Sequence, residues 1–190
     1  MIEQAFLFDV EGATEIWLVR HADCYQGLTD ADDPPLSPRG IEQAERLAAR
    51  LRRIGFDGIY SSPMRRALET AEHIGGEVEI DPRLVEISMD ANAFAAGTAI
   101  NRWVGFNEPA DQVIARMRGA VEDAVHAHPG GRVVMVSHGG AILGYLTDVL
   151  RLEFGRLRLL PYYTSVSVVR VLGDRRMAGA LADVAHLEGA

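Results

Sequence analysis

The sequence predicts an α/β fold, namely a three-layer αβα sandwich with a mainly parallel central sheet. Apolar runs at 16–19 and 133–136 are typical of strands that are buried on both faces of a sheet. Segments with the helical spacing of apolar residues alternate with the predicted strands, which favours parallel strands covered by helices on both sides. The 190 residues contain no repeat or linker, so we expect one domain, with residues 1–13 as an N-terminal extension.

Periodicity and end signals place the individual elements. Ser37 followed by Pro38 is typical of a helix start, because serine caps the free amides and proline fits the first turn. Ser62 followed by Pro63 repeats this signal and predicts a second capped helix. The predicted elements are, in chain order, a strand at 15–20, a helix at 38–54, a strand at 57–62, a helix at 64–74, a strand at 77–80, helices at 109–128 and 139–150 around a strand at 132–137, and strands at 165–171 and 176–182.

The composition excludes several classes of protein. A net charge of −8 argues against a nucleic acid or an acidic membrane as partner, because either requires a basic face. No apolar stretch approaches the roughly 18 residues of a membrane-spanning helix, and the first residues lack the basic region of a signal peptide. The single cysteine, Cys24, excludes an internal disulfide and a cysteine metal cluster. We therefore expect a cytoplasmic protein.

Basic side chains follow both of the strongest predicted strands. Arg20 and His21 end the first, and His138 ends the second. Ligands of open α/β sheets lie beyond the carboxyl ends of the strands. Arg65 and Arg66 open a predicted helix, although a helix start disfavours cations, so we expect an anion nearby. All 19 basic residues are arginine, so an anion site must consist of arginine, histidine and backbone amides.

These side chains suit a dianionic, tetrahedral group, because the arginine fork matches phosphate oxygens. A neutral imidazole is a nucleophile toward phosphorus when a hydrogen bond fixes its tautomer. A carboxylic acid is the natural proton donor for a leaving alcohol, with Glu86 as the first candidate and Asp23 as the second. Each histidine taken alone could instead be a core residue, and Glu86 could pair with Arg83.

Five motifs occur in the order and spacing of one known family. They are LVRHAD at 18–23, LSPRGIEQAERLA at 36–48, SSPMRRALETA at 61–71, DPRLVEI at 81–87 and VSHGGAI at 136–142. In these motifs the chain resembles the histidine phosphatase superfamily, the phosphoglycerate mutase-like proteins, from about residue 15 to residue 150. An Arg-His pair alone is weak support, but the blocks in register make the resemblance specific.

The resemblance implies a phosphoglycerate mutase-like fold and a catalytic site that needs no metal or other cofactor. It implies that His21 is the phosphorylated nucleophile and that Glu86 is the proton donor. The residues that it assigns to phosphate or substrate are Arg20, Arg66, His138, Gly139 and, in place of a family asparagine, Gln26. Ala22 stands where the family usually has glycine, and we expect its φ to be negative. The segment at about 88–108 departs from the family's sequence and is interpreted as a lid or substrate-specificity segment.

The function expected from these residues is that of a metal-independent phosphomonoesterase acting through a phosphohistidine on a small phosphorylated metabolite. A phosphoglycerate-type phosphomutase is the main alternative, but it must grip a second anion, and Arg102 is the only basic residue at 88–108. A protein phosphohistidine phosphatase and a non-catalytic phospholigand-binding module are further alternatives. A homodimer is also considered, because the alternating strand at 165–171 could be an edge that pairs with a second copy.

Overall fold

The structure, a computed structural model, describes residues 2–25, 33–87, 108–153 and 156–188. Gln26 and, apart from Glu108, the predicted lid segment lie outside these residues. The described helices are α1 (Ile2–Ala5), α2 (Pro38–Leu51), α3 (Arg65–Ile74), α4 (Ala110–Ala127) and α5 (Gly139–Val149), with short 3₁₀ helices at Pro82–Leu84 and Ala185–Leu187. The described strands are β1 (Thr14–Arg20), β2 (Gly58–Ser61), β3 (Glu79–Ile80), β4 (Arg132–Ser137), β5 (Val166–Leu172) and β6 (Arg175–Asp183).

The six described strands form one mixed sheet in the order β3-β2-β4-β1-β5-β6. Strands β3, β2, β4 and β1 pair in parallel, whereas β5 runs antiparallel to both β1 and β6. The predicted α/β fold with a mainly parallel sheet is therefore confirmed. The two apolar runs of the sequence, in β1 and β4, are the central pair of the sheet. None of the helices in the described ranges combines the length and the apolar character needed to cross a membrane.

Helices cover both faces of the sheet, which explains why β1 is apolar at every position from 16 to 19. Successive residues of a strand point to opposite faces. Ile16 and Leu18 belong to a core that β1 shares with α4 and α5 and that includes Met117. Val19 belongs to a second core, shared with α2 and α3, that includes Leu47. The three-layer αβα arrangement predicted from the alternation of elements is confirmed.

The strand predicted at 165–171 is not an edge. Strand β5 lies between β1 and β6, and its first four residues are all buried. The alternating pattern was misleading because Ser165 and Ser167 are buried as well, with Ser167 accepting a hydrogen bond from the Ala182 amide at 2.9 Å. The edge on this side is β6, so β5 gives no support to a homodimer formed by strand pairing.

The two predicted serine caps behave differently. The Ser37 hydroxyl accepts a hydrogen bond from the Gly40 amide at 3.0 Å and caps α2 as predicted. Ser62 does not cap α3, whose N-cap position is Met64. The Ser62 hydroxyl accepts from the Met64 amide at 3.3 Å and also lies 2.9 Å from Nε2 of His138. The group that the local pattern assigned to the helix is thus shared with a partner distant in sequence.

One arginine of α4 joins the two described ends that border residues 88–107. Nε of Arg116 donates to Oε1 of Glu108 at 2.7 Å, and its Nη1 donates to the Val85 carbonyl at 2.8 Å. The Arg116 side chain is largely buried. The buried Arg116 guanidinium therefore holds Val85, which precedes Glu86, and Glu108 in fixed positions relative to α4.

Candidate active site

The two predicted histidines leave adjacent strands side by side. β1 and β4 pair with Arg20 opposite Ser137, so His21 and His138 each follow the last residue of a strand. The His21 amide donates to the Ser137 carbonyl at 2.9 Å, which continues the ladder beyond β1. The two imidazole ring centroids are 5.0 Å apart. The carboxyl edge of the central strand pair therefore carries both rings.

Hydrogen bonds fix the tautomer of His21. Its Nδ1 lies 2.7 Å from the Ala22 carbonyl oxygen, and because a carbonyl can only accept, Nδ1 carries the proton. Its Nε2 lies 3.2 Å from Nε of Arg66, which can only donate, so Nε2 offers its lone pair. The residue is 3 % exposed. His21 is thus a buried imidazole whose Nε2 lone pair is directed toward a guanidinium.

Arg66 joins the two histidines. Its Nη2 lies 3.3 Å from Nδ1 of His138, while its Nε contacts His21. Because Nδ1 of His138 accepts from Arg66, Nε2 of that ring carries the proton and donates to the Ser62 hydroxyl at 2.9 Å. The structure therefore brings these three predicted residues into direct contact. Ser62 was not predicted to take part in the site.

Burial keeps both imidazoles neutral. Loss of water, followed by the charge of Arg66, lowers the pKa of His21 to about 3, although the Ala22 carbonyl acts in the opposite direction. Burial, followed by the repulsion that a second proton would meet beside His21 and by the charge of Arg66, lowers the pKa of His138 well below its usual range. A neutral imidazole keeps the lone pair that a nucleophile needs.

The free energy of unfolding is expected to decrease when the pH is lowered from about 7.5 to about 5. A histidine that stays neutral in the folded chain takes up a proton only after unfolding, once the pH is below its unfolded pKa of about 6.5. The stabilisation is therefore complete above that pH and is lost as the pH falls toward the folded pKa. At pH of about 5, protonation of His21 and of His138 in the unfolded chain should each lower the free energy of unfolding by up to about 2 kcal/mol. Urea unfolding at both pH values measures this loss. His21→Gln should reduce the dependence, and equal stability at both pH values would contradict it.

Arg20 is held by the segment that precedes β5. Its Nη1 donates to the Pro161 carbonyl at 2.7 Å, and its Cζ lies 4.2 Å from the centre of the Tyr163 ring. Its Nε is buried and has no hydrogen-bond partner among the described residues. Gly139 borders this nitrogen, because a β-carbon built there would lie 3.4 Å from it. A buried donor without a partner, next to the first residue of α5, suits an anionic oxygen.

Glu86 lies at the amino end of α5. Its Oε1 accepts from the Ile87 and Ala141 amides at 2.8 and 3.1 Å, and its Oε2 accepts from the Gly140 amide at 3.3 Å. The Gly140 and Ala141 amides belong to the first turn of α5, where amides have no acceptor within the helix, and the Glu86 oxygens satisfy them. Because α5 starts directly after His138, Glu86 lies at the same edge of the sheet as the histidines.

The sequence left open whether Glu86 pairs with Arg83 and whether Asp23 could take its place as proton donor. Arg83 pairs with Asp81 at 2.7 Å rather than with Glu86. Asp23, the second candidate proton donor, accepts a hydrogen bond from the Ser37 hydroxyl at 2.7 Å. The Asp23 carboxylate therefore supports the start of α2, and nothing in its contacts favours it over Glu86.

The residue that replaces the usual glycine is tightly integrated. Ala22 is fully buried and is not among the described residues with a positive φ, as expected from the sequence. Its amide donates to the Thr70 hydroxyl at 3.0 Å, and that hydroxyl donates to the Arg66 carbonyl at 2.7 Å. Thr70 therefore ties the end of β1 to α3, which carries Arg66.

A carboxylate of the chain itself lies at the start of α3. Oδ2 of Asp33 accepts from the Arg65 amide at 2.7 Å, and its Oδ1 lies 3.5 Å from Nη1 of Arg66. The sequence predicted a bound anion near these two arginines, which stays a prediction, whereas Asp33 is a carboxylate of the chain that contacts both of them. The residue was missed because Asp33 lies 32 residues before Arg65, so no local pattern joins the two.

Two surface pockets elsewhere lack comparable chemistry. One of about 520 Å³ lies beside β3 and α4 and includes Tyr60 and Arg83, and one of about 270 Å³ lies at the end of α2 and includes Phe56. Neither is lined by a predicted site residue. Within the four described ranges, no three histidine, cysteine, aspartate or glutamate side chains are grouped so that they could hold a metal ion.

Comparison with known proteins finds relatives over most of the chain. The profile of the Histidine phosphatase superfamily (branch 1) matches residues 16–183. The chain is 28 % identical to the probable phosphoglycerate mutase GpmB of Cronobacter sakazakii, over 92 % of this chain and 95 % of that protein. It is 35 % identical to phosphoserine phosphatase 1 of Hydrogenobacter thermophilus, over 64 % of this chain and 69 % of that protein. The solved structure of Bacillus stearothermophilus YhfR matches with a TM-score of 0.79 and 27 % identity, over 92 % of this chain and 100 % of that one.

Proposed function

This chain belongs to the histidine phosphatase superfamily, branch 1, and we propose that it is a metal-independent phosphomonoesterase acting through a phosphohistidine on a small phosphorylated metabolite. The observation that carries the proposal is the state of His21, with Nδ1 protonated against Ala22 and the Nε2 lone pair directed to Arg66. A neutral imidazole in this tautomer can attack phosphorus without first losing a proton.

The reaction has two halves in this proposal. Nε2 of His21 forms a bond to phosphorus while the bond to the ester oxygen breaks, and the leaving oxygen takes a proton from Glu86. Glu86 then accepts a proton from water, whose oxygen attacks the phosphorus of phosphohistidine. The P–N bond breaks, inorganic phosphate leaves, and both side chains return to their starting states.

Arginine donors hold the phosphoryl oxygens in this proposal. Arg66 moves its hydrogen bonds from the two imidazoles to the phosphate, because an anionic oxygen is the stronger acceptor. Arg20 contributes its buried Nε, and the Gly139 amide contributes a donor at the start of α5. His138, in contact with Arg66, completes the group, and Gln26 stays a prediction from the sequence.

Glu86→Gln is expected to lower kcat/KM, which reports the steps up to phosphoryl transfer to His21, about 100-fold for an alkyl phosphate such as glycerol phosphate, but only a few-fold for p-nitrophenyl phosphate. An alkoxide needs a proton as it leaves, whereas nitrophenolate is stable without one. Glutamine preserves an acceptor oxygen for the α5 amides, so the fold should be retained. Steady-state kinetics with both substrates measures the difference, with Asp23→Asn as the control variant. An equal loss of kcat/KM for both substrates would contradict the role of Glu86 as the proton donor.

One observation favours a second function, because the relative that is 28 % identical is named a probable phosphoglycerate mutase. A mutase returns the phosphoryl group to its substrate and must hold a second anionic group meanwhile. Residues 88–107 supply only Arg102 for this purpose. The relative that is 35 % identical is named a phosphatase. These two observations support the phosphatase over the mutase.

The test separates release from exchange. The chain is incubated with p-nitrophenyl phosphate and, separately, with 3-phosphoglycerate plus bisphosphoglycerate. Release of inorganic phosphate supports the proposal, and exchange between positions without release supports a mutase. Absence of turnover over a broad panel of phosphomonoesters, together with absence of acid-labile phosphate on the protein, would overturn both.

A further inference from the structure

The segment before β5 holds Arg20 by both its backbone and its side chain. The Arg20 amide donates to the Ser165 carbonyl at 3.2 Å, and the Arg20 carbonyl accepts from the Thr164 amide at 3.0 Å. The Pro161 carbonyl accepts from Nη1 at 2.7 Å. Tyr163 lies between these contacts along the chain, so its ring is placed against Arg20 by residues on either side.

Tyr163 contacts two predicted site residues at once. The Arg20 guanidinium carbon is 4.2 Å from the centre of its ring, and the ring centroid is 5.7 Å from that of His21. An aromatic face attracts a guanidinium electrostatically, and the attraction increases where water is excluded. Burial raises the pKa of Tyr163, so the ring is uncharged at neutral pH. Tyr163 therefore packs an uncharged aromatic ring against both the Arg20 guanidinium and the His21 imidazole.

The backbone next to this ring is strained. Thr164 has a φ of +55°, a conformation that a β-branched residue adopts only at a cost. The Thr164 hydroxyl lies 3.0 Å from Nε2 of His186 in the C-terminal 3₁₀ helix. Nη1 of Arg50, on α2, lies 3.4 Å from the other nitrogen of that ring. Contacts from two further elements thus sustain a strained turn directly beside the site.

We infer that Tyr163 is a positioning residue for Arg20. With Nη1 bound to Pro161 and the guanidinium packed on the Tyr163 ring, the side chain keeps Nε beside Gly139, at the place assigned to a phosphate oxygen. A guanidinium already held in its binding orientation loses less freedom when the anion arrives. The inference rests on the proposed function only in taking that place as a phosphate site.

The inference is tested with Tyr163→Leu, which removes the ring, and Tyr163→Phe, which preserves it. Calorimetry with inorganic phosphate should show about tenfold weaker binding to the leucine variant and restoration to within about twofold in the phenylalanine variant. For p-nitrophenyl phosphate, KM should rise in parallel while kcat changes less than about threefold. A purely structural role would not give this split or this rescue.

A matched control is available at the other end of the chain. Arg170 packs over the Phe8 ring at 4.9 Å, and Phe8→Leu removes that contact without touching the site. Phosphate binding should be unchanged in this variant. Should Tyr163→Leu fail to fold, Tyr163→Met, which has similar bulk without a ring, replaces it.

The possible outcomes distinguish the inference from the proposed function. Unchanged phosphate affinity in the variants without a ring, or an equal loss in Tyr163→Phe or Phe8→Leu, would overturn the role of Tyr163. Phosphate binding to the wild-type chain without hydrolysis would contradict the proposed function alone. Hydrolysis with unaltered phosphate binding in Tyr163→Leu would contradict the inference alone.

Discussion

His21→Ala is expected to lower kcat for p-nitrophenyl phosphate by at least about 10⁴-fold and to abolish acid-labile phosphate on the protein. In the proposed reaction this substitution removes the atom that bonds to phosphorus. The affinity for inorganic phosphate should change far less, because Arg20, Arg66 and His138 remain. Rapid-quench labelling with radioactive phosphomonoester and calorimetry with phosphate measure the two quantities separately.

The control for this variant is a histidine at the far end of α3. His73 hydrogen-bonds through Nδ1 to the Glu69 carbonyl at 2.8 Å, and His73→Ala should retain activity to within about twofold. Persistence of the label at wild-type level in His21→Ala would mean that another group is the nucleophile. His138, whose ring is 5.0 Å away, would be the first to examine.

Two adjacent arginines should differ sharply. Arg66→Ala is expected to lower kcat/KM about 10³-fold, because Arg66 is the donor that both imidazoles share and that the phosphoryl oxygens would take over. Arg65→Ala should change kcat/KM by less than about twofold, because an exposed ion pair contributes little. The Arg65 side chain is 58 % exposed and pairs with Glu69, whereas that of Arg66 is 11 % exposed.

Arg66→Ala has a second expected effect, on the pH profile. Its charge is one of the causes that lower the pKa of His21, so its loss should let that pKa rise. The residual activity of Arg66→Ala should then decline at a higher pH on the acid side than that of the wild-type chain. Similar losses in Arg65→Ala and Arg66→Ala would contradict the assignment of Arg66, and an unaltered acid limb would contradict its electrostatic role.

Features that depend on neighbours along the chain could be predicted from the sequence. β1 and β4 are apolar because helices cover both of their faces, and this leaves a visible run of residues. Ser37 caps the helix that it directly precedes, so the signal and its partner are adjacent. His21 and His138 were found for the same reason, since each directly follows a buried strand and the carboxyl ends of parallel strands share an edge.

Contacts between distant segments could not be predicted in this way. Ser62 carries a cap signal, but His138 takes its hydroxyl, and only the folded chain brings the two together. Tyr163 follows no recognisable pattern, and its contact with Arg20 depends on β5 lying antiparallel to β1. Ser167 in β5 and Ser165 just before it are both buried, so the alternation of polar and apolar residues did not reveal the position of this strand in the sheet.

The contacts of Arg116 with the residues on either side of 88–107 have an evolutionary consequence. Its guanidinium binds the Val85 carbonyl on one side and the Glu108 carboxylate on the other, so the described residues on both sides of 88–107 are held to α4. Glu86 is anchored to α5 before residues 88–107 begin, and each histidine directly follows a strand outside them. The sequence predicts a lid or substrate-specificity segment at about 88–108. On that prediction, a change within this segment would alter the choice of substrate and leave Glu86 and both histidines in place.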